Sequence, residues 1–228
     1  MKKIVVVLCL FAFASGCSVS PTVAEEFYSG NTANEYENAV SLDEGEEPTV
    51  RYSSNINDDI YYFKSNYFII IGNSNFEGVR KYCKNIKEGI EKQARKIKAT
   101  HVIYSCERLS DRYYEGNSYS WYSYKVYYLV KRPVKSLLGV QWYNITTAER
   151  AKTGRNTGVV VDVVFENTPA FFSNLQKGDV IIEINNVDIN NIRDAESTVG
   201  FIYSNENVGD YNIKFIRNGE VNIIIIKR

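Results

Sequence analysis

Histidine is nearly absent from this chain. Its 228 residues include one histidine, one methionine, four prolines and four cysteines. Any Ser-His-Asp or Cys-His arrangement would have to use His101, the sole histidine. No G-x-S-x-G signature accompanies it, and it opens an apolar strand, so a structural or surface role is expected and no catalytic residue is assigned. A lone histidine also excludes His-rich metal sites, and Cys83 with Cys106 has no C-x-x-C spacing. No metal or cofactor is therefore expected. Lys plus Arg and Asp plus Glu both number 27. That balance gives no global attraction to nucleic acid, and none is expected as a partner. Basic residues are missing altogether from Ser18 to Pro48, a stretch with eight acidic residues and no sustained apolar period. Such a segment reads as a disordered, self-repelling spacer. Long apolar runs are missing too. Ile4 to Phe13, ten residues, is too short to cross a bilayer as a mature helix.

That short run has its own meaning. Lys2 and Lys3 precede it, small residues follow it, and Cys17 comes next. This is the layout of a secretory signal, to be left out of fold reasoning. Ala14-Ser15-Gly16-Cys17 resembles a bacterial lipobox. The resemblance implies cleavage after Gly16, lipidation of Cys17 and anchoring in a bacterial envelope. Ser18 resembles the outer-membrane sorting pattern. An ordinary signal peptide with Cys17 as a spare thiol is the competing reading. In an exported protein disulfides persist, and Cys83 and Cys106 are expected to pair. The expected organisation is a signal over 1–16, a lipidated acidic tether over 17–48, a small domain over 49–130, a linker over 131–136 and a second domain over 137–228.

The first domain is expected to be α+β. Asn66 to Gly72 reads as a buried strand. Ser74 and Glu77 have capping-box spacing. Phe76, Val79, Cys83, Ile86, Ile90, Ala94 and Ile97 then recur at helical steps, which predicts one long amphipathic helix. Thr100 to Cys106 and Trp121 to Val130 read as strands, with a hairpin tip around Gly116-Asn117. The layout is strand, helix, strand, strand. The tyrosines from Tyr113 to Tyr128 suit either a stacking platform or sheet packing. Alternation favours packing, with Tyr122, Tyr124, Val126 and Tyr128 on one face. "IIIGNSNFEG" and "QARKIKATHVIYSC" resemble a family of small envelope α+β domains that includes the outer-membrane stress-sensor lipoprotein RcsF. That resemblance implies a fold, not an activity.

The second domain is punctuated more sharply. Thr157 to Glu166 is a strand, and Thr168-Pro169 is a helix start: a hydroxyl cap, then Pro where no N–H is needed. Asn174 suits the left-handed residue ending that helix. Val180 to Ile184 is a strand, Asn185-Asn186 a tight turn, and Val187 to Ile189 the return. Ile192, Ala195, Val199 and Ile202 predict a helix, and a hairpin around Asn218-Gly219 closes the chain. In order and residues this resembles a PDZ domain of the bacterial Deg/HtrA type. The resemblance rests on Gly158-Val159, Thr168-Pro169-Ala170, Leu175, Lys177-Gly178-Asp179, Ile181 and Ile184-Asn185-Asn186. It implies a partly open β-barrel with two helices. Asn174 and Asn186 stand where the family usually has Gly, and Asn tolerates positive φ best after Gly.

The same resemblance assigns roles to "SLLGVQW". Leu137, Leu138, Gly139 and Val140 would form a loop whose bare backbone N–H groups hold a peptide carboxylate. A peptide strand would add along Val140 to Asn144, over a groove made by Gln141, Trp142, Ala195 and Val199. Lys131, Arg132 and Lys135 lie just upstream and would favour an anion. A filled or unused groove is the alternative. The expectation is a non-catalytic envelope lipoprotein that binds peptide C-termini or protein segments as a scaffold or adaptor. Its expected partners are such a peptide and, through the lipid, a membrane. A sensor or regulator of an envelope stress or proteolysis pathway is the other reading.

Overall fold

The computed structural model describes residues 22–79, 86–133, 136–205 and 209–227. Cys17, Cys83 and Lys135 lie outside that set, and so does the expected pairing of Cys83 with Cys106. Cys106 itself packs against the first domain's core and is not a free thiol. No helix among the described residues is long and apolar enough to cross a membrane.

The first domain is a five-stranded sheet covered on both faces. Its strands are β1 (Tyr28–Gly30), β2 (Thr49–Tyr52), β3 (Phe68–Val79), β4 (His101–Tyr114) and β5 (Asn117–Lys131). They run in the order β1-β3-β5-β4-β2, antiparallel except where β2 joins β4. Helix α1 (Thr22–Glu26) and helix α3 (Ile86–Ile97) share one face. There Ile86, Ile90, Ala94 and Ile97 pack on Tyr122, Tyr124, Val126 and Tyr128. Helix α2 (Ile56–Ser65) covers the other face, where Phe63 meets Ile103 and Leu129. Alternation along β5 thus feeds two cores, and Tyr122, Tyr124 and Tyr128 are packing residues. The β4–β5 hairpin runs on past β3, turning at Glu115-Gly116, and Tyr113, Tyr114 and Tyr119 are exposed on that arm.

Three expectations are corrected here. Phe76 and Val79 belong to β3, so the expected helix begins only at Ile86 among the described residues. Ser74 caps nothing: it is buried within β3 and its hydroxyl donates to the Ala24 carbonyl at 2.7 Å. Residues 22–48 are no free spacer either. Ala24, Ala33 and Leu42 are buried, β1 pairs with β3, and the Leu42 N–H donates to the Lys98 carbonyl at 2.9 Å. The acidic side chains meet the basic face of α3. Glu25 contacts Lys92 at 3.3 Å and Lys96 at 3.6 Å, and Glu47 pairs with Arg95. Charge complementarity, invisible when the segment is read alone, lays it on the domain.

The second domain is a six-stranded antiparallel sheet. Its elements are β6 (Val140–Asn144), α4 (Thr147–Thr153), β7 (Val159–Val164), α5 (Pro169–Phe172), β8 (Val180–Ile184), β9 (Val187–Asp188), α6 (Ile192–Ser204), β10 (Tyr211–Arg217) and β11 (Glu220–Ile226). The strand order is β11-β10-β8-β7-β6, with β9 on β8. The path does not close into a barrel: β6 and β11 are its two edges. The turn chemistry holds as expected. Asn185, Asn186, Asn218 and Asn174 all have positive φ, and the Thr168 side chain accepts from the Phe171 N–H. Helix α4 was not expected, although Thr146 and Glu149 form a capping box at its start. Asp179, 1 % exposed, holds Arg217 through two contacts of 2.7 and 2.6 Å, tying α5 and β8 to β10. This hydrogen bonding keeps the Arg217 guanidinium above its ordinary pKa.

The two domains touch. The Tyr67 ring stacks on Phe165 at 4.7 Å and 3°. The Glu166 N–H donates to the Ser65 carbonyl at 3.0 Å, and Lys64 pairs with Asp162 at 3.5 Å. Tyr67 sits at φ +67, a left-handed conformation that costs a bulky residue strain. The end of α2 requires that reversal, and the stack on Phe165 holds the ring.

Candidate functional site

The second domain has a free sheet edge beside a helix. Among the described residues strand β6 pairs only with β7, leaving its other side open. The N–H of Ile145 donates back to the Gly158 carbonyl, toward β7. Val140 does the opposite, and both its N–H and its C=O are turned toward Ser136. By the two-residue strand period, Trp142 and Asn144 present their backbone groups on that same open side.

The loop before β6 is built from both sides. Leu138 is buried in the core, and its carbonyl accepts from the Ala170 N–H of α5 at 3.2 Å. Gly139 has φ +88, and its carbonyl accepts from the Phe165 N–H at 2.9 Å. A side chain there would collide with Thr168, whose Cβ and Oγ1 lie 2.2 Å from an ideal Cβ position. Glycine is required for close approach as well as for conformation. The Ser136 hydroxyl accepts from the N–H groups of Gly139 and Val140, both at 3.0 Å, and donates to the Val140 carbonyl at 2.9 Å.

The expected site residues divide in two. Leu138, Val140, Trp142, Ala195 and Val199 come together in one apolar cluster, so β6 and α6 share a floor. Ala195 and Val199 are buried in that floor rather than exposed to a ligand. Leu137 and Gln141 are exposed, and alternation puts the Gln141 side chain on the opposite face from Trp142. Of the upstream cations, Arg132 is engaged elsewhere: its Nε donates to the Glu37 carbonyl at 3.1 Å. At the far end of β6, Asn144 Oδ1 accepts from the Ile192 N–H at 2.8 Å. A cleft of about 540 Å³ opens there, lined by Asn144, Asn191, Ile192, Arg193, Asp194 and Glu196. Sequence reasoning missed Ser136, Thr168 and Phe165 as parts of the loop. Only the position of Ser136 at the head of "SLLGVQW" hinted at one of them.

His101 stands apart from this site. Its ring packs edge-on against Phe68 at 4.7 Å and Phe63 at 5.7 Å, and Nδ1 lies 3.1 Å from Thr100 Oγ1. Burial, then the nearby Lys131 charge, lowers its pKa. Among the described residues no cluster of three or more His, Cys, Asp or Glu is placed to hold a metal.

Residues 136–227 match the family model described as PDZ domain. No curated protein matches the chain. Among solved structures, the chain is similar to the HtrA3 PDZ domain bound to a phage-derived ligand, FGRWV. The identity is 18 %, over 40 % of this chain and 81 % of that one, with a TM-score of 0.34. It is similar to the HtrA-type protease AlgW with a decapeptide at 18 % identity, over 53 % of this chain and 40 % of the protease, with a TM-score of 0.34. It is also similar to the PDZ domain of EpsC from Vibrio cholerae at 16 % identity, over 41 % of this chain and all of that one, with a TM-score of 0.29. The PDZ domain match thus falls on the part of the chain that holds the Gly139 loop, the β6 edge and α6.

Proposed function

We propose that the chain is a non-catalytic envelope lipoprotein that captures peptide C-termini or extended protein segments on β6 and so serves as a scaffold or adaptor. One observation carries the binding: an unpaired strand edge, Val140 to Asn144, begins at a loop whose outward N–H groups stand on a glycine at φ +88. An extended peptide would pair antiparallel along that edge, its terminal carboxylate at Gly139 and Val140. Five residues of strand span about 14 Å between first and last Cα, so the fifth peptide residue from the end would reach the Asn144 cleft. The expected affinity is about micromolar, because a short peptide spends much of its contact energy on ordering itself. A library of peptides with free C-termini, screened against the full chain, tests this. Binders sharing apolar final residues support it, and a library that yields none refutes it.

Lipidation of Cys17, the bacterial envelope location with the outer membrane as its membrane, and the Cys83–Cys106 disulfide belong to the same reading. They rest on the lipobox-like Ala14-Ser15-Gly16-Cys17 and on the cysteine count. Loss of the protein from the membrane fraction on Cys17→Ala is the expected result; unchanged fractionation would argue against the anchor.

A second reading, a sensor or regulator, is favoured by one contact chain. Phe165 stacks on Tyr67 of the first domain while its N–H holds the Gly139 carbonyl. A change in the first domain would then be felt at the loop. Equal peptide affinity in the full chain and in Tyr67→Ala would argue against that coupling.

A further inference from the structure

The Ser136 hydroxyl fills all of its hydrogen-bonding capacity at the mouth of the groove. A hydroxyl has one donor and two acceptor positions. Here the two acceptors take the Gly139 and Val140 N–H groups, and the donor goes to the Val140 carbonyl. These are the groups that the end of an added strand would meet. A terminal carboxylate needs both donors and offers nothing to the carbonyl, so carboxylate and hydroxyl cannot hold the donors together.

We propose that Ser136 is an intramolecular stand-in for the ligand's carboxylate, and that a free C-terminus binds by displacing it. The inference rests on the peptide-binding reading above and adds the selectivity of that site. A rotation about the Ser136 Cα–Cβ bond withdraws the hydroxyl without moving the backbone. Neutral groups at the same spot gain little from the exchange, because they replace one neutral hydrogen bond by another. A carboxylate gains, because charge-assisted hydrogen bonds are roughly twice as strong as neutral ones. Ser136 therefore sets a threshold that an ionised terminus passes and an amidated terminus or internal loop does not.

The test uses the full chain as wild type, Ser136→Ala and Ser136→Thr. Random decapeptides with free C-termini are selected in parallel on wild type and on Ser136→Ala. The best binder is then titrated against all three proteins, as the free acid and as the C-terminal amide. The expected result is binding of the free acid about three- to tenfold tighter to Ser136→Ala, the size of one net hydrogen bond. The amide, which has the same hydroxyl to displace, is expected to improve by at least the same factor on Ser136→Ala, and Ser136→Thr is expected to return the wild-type affinity. Equal or weaker binding of the acid to Ser136→Ala, at unchanged thermal stability, overturns the stand-in while leaving the groove intact. If the variant is less stable, Ser136→Thr decides: an acid affinity matching Ser136→Ala rather than wild type overturns the proposal. If neither selection yields a binder, the peptide-binding reading fails and takes this one with it.

Discussion

Replacing Gly139 by alanine probes how the loop is built, and its cost can be worked from the structure. Two terms add. At φ +88 an L residue with a Cβ costs about 1–2 kcal/mol more than glycine. The new Cβ would also lie 2.2 Å from Thr168 Cβ and Oγ1 and 2.8 Å from Cγ2. Thr168 cannot swing aside, since its hydroxyl donates to the Phe165 carbonyl at 2.6 Å and caps α5. Overpacking of that kind costs about 1–3 kcal/mol. The expected loss is about 3 kcal/mol. With a urea slope of about 2 kcal/mol per molar, the midpoint falls by about 1.5 M. Urea unfolding followed by fluorescence reads it, because Trp142 packs against this core. A second variant separates the terms. Thr168→Gly removes the atoms in the way, so Gly139→Ala made on top of it is expected to cost only the backbone part, about 1–2 kcal/mol. A loss below about 1 kcal/mol for Gly139→Ala alone, or equal costs in both backgrounds, would refute the reasoning. For the same reason, lost binding in a bulkier Gly139 variant reports damage to the domain as much as to the groove.

Other outcomes follow from the same contacts. Arg217→Met leaves Asp179 buried without its partner, and a loss of about 3–5 kcal/mol is expected in urea unfolding; a loss under 1 kcal/mol would mean that the pair is not buried in solution. His101 has a lowered pKa, so the unfolded chain takes up its proton first. Its contribution is therefore full above the ordinary value of 6.5 and is lost as pH falls through the depressed folded value. His101→Phe is expected to flatten the fall in urea midpoint between pH 7 and pH 5, and an unchanged slope would contradict this. Tyr67→Gly relieves the strain at φ +67 but deletes the stack on Phe165, and Tyr67→Ala deletes the stack alone. Both are expected to increase amide exchange at Phe165 and Glu166, and full retained protection would show that the domains dock without the stack.

The two domains differed in how well the sequence exposed them, for physical reasons. In the second domain each boundary is written in residues with narrow backbone preferences. Asn185-Asn186, Asn218-Gly219 and Thr168-Pro169 leave few conformations open. In the first domain the marks are ambiguous. Phe76 and Val79 continue the helical spacing of Ile86 and Ile90 while sitting on a strand, because apolar residues three apart fit both periods over a short stretch. The acidic segment carries its apolar anchors singly, as Ala24, Ala33 and Leu42, and its cationic partners Lys92, Arg95 and Lys96 lie far along the chain. No local window contains both halves of that interaction. At the site, the glycine of the loop and the apolar floor were legible. The Ser136 hydroxyl and the Thr168 wall were not, since both act through a loop geometry that only the fold creates.

Amide hydrogen exchange on the full chain, with and without a saturating peptide selected for a free C-terminus, tests the central claim most directly. The account predicts new protection at Trp142 and Asn144, whose backbone groups line the open side of β6, with Gly139 and Val140 protected in both states, first by Ser136 and then by the peptide. It predicts no change along β11, the other edge of the same sheet. Protection appearing on β11, or peptide binding that leaves Trp142 and Asn144 exchanging as before, would contradict it.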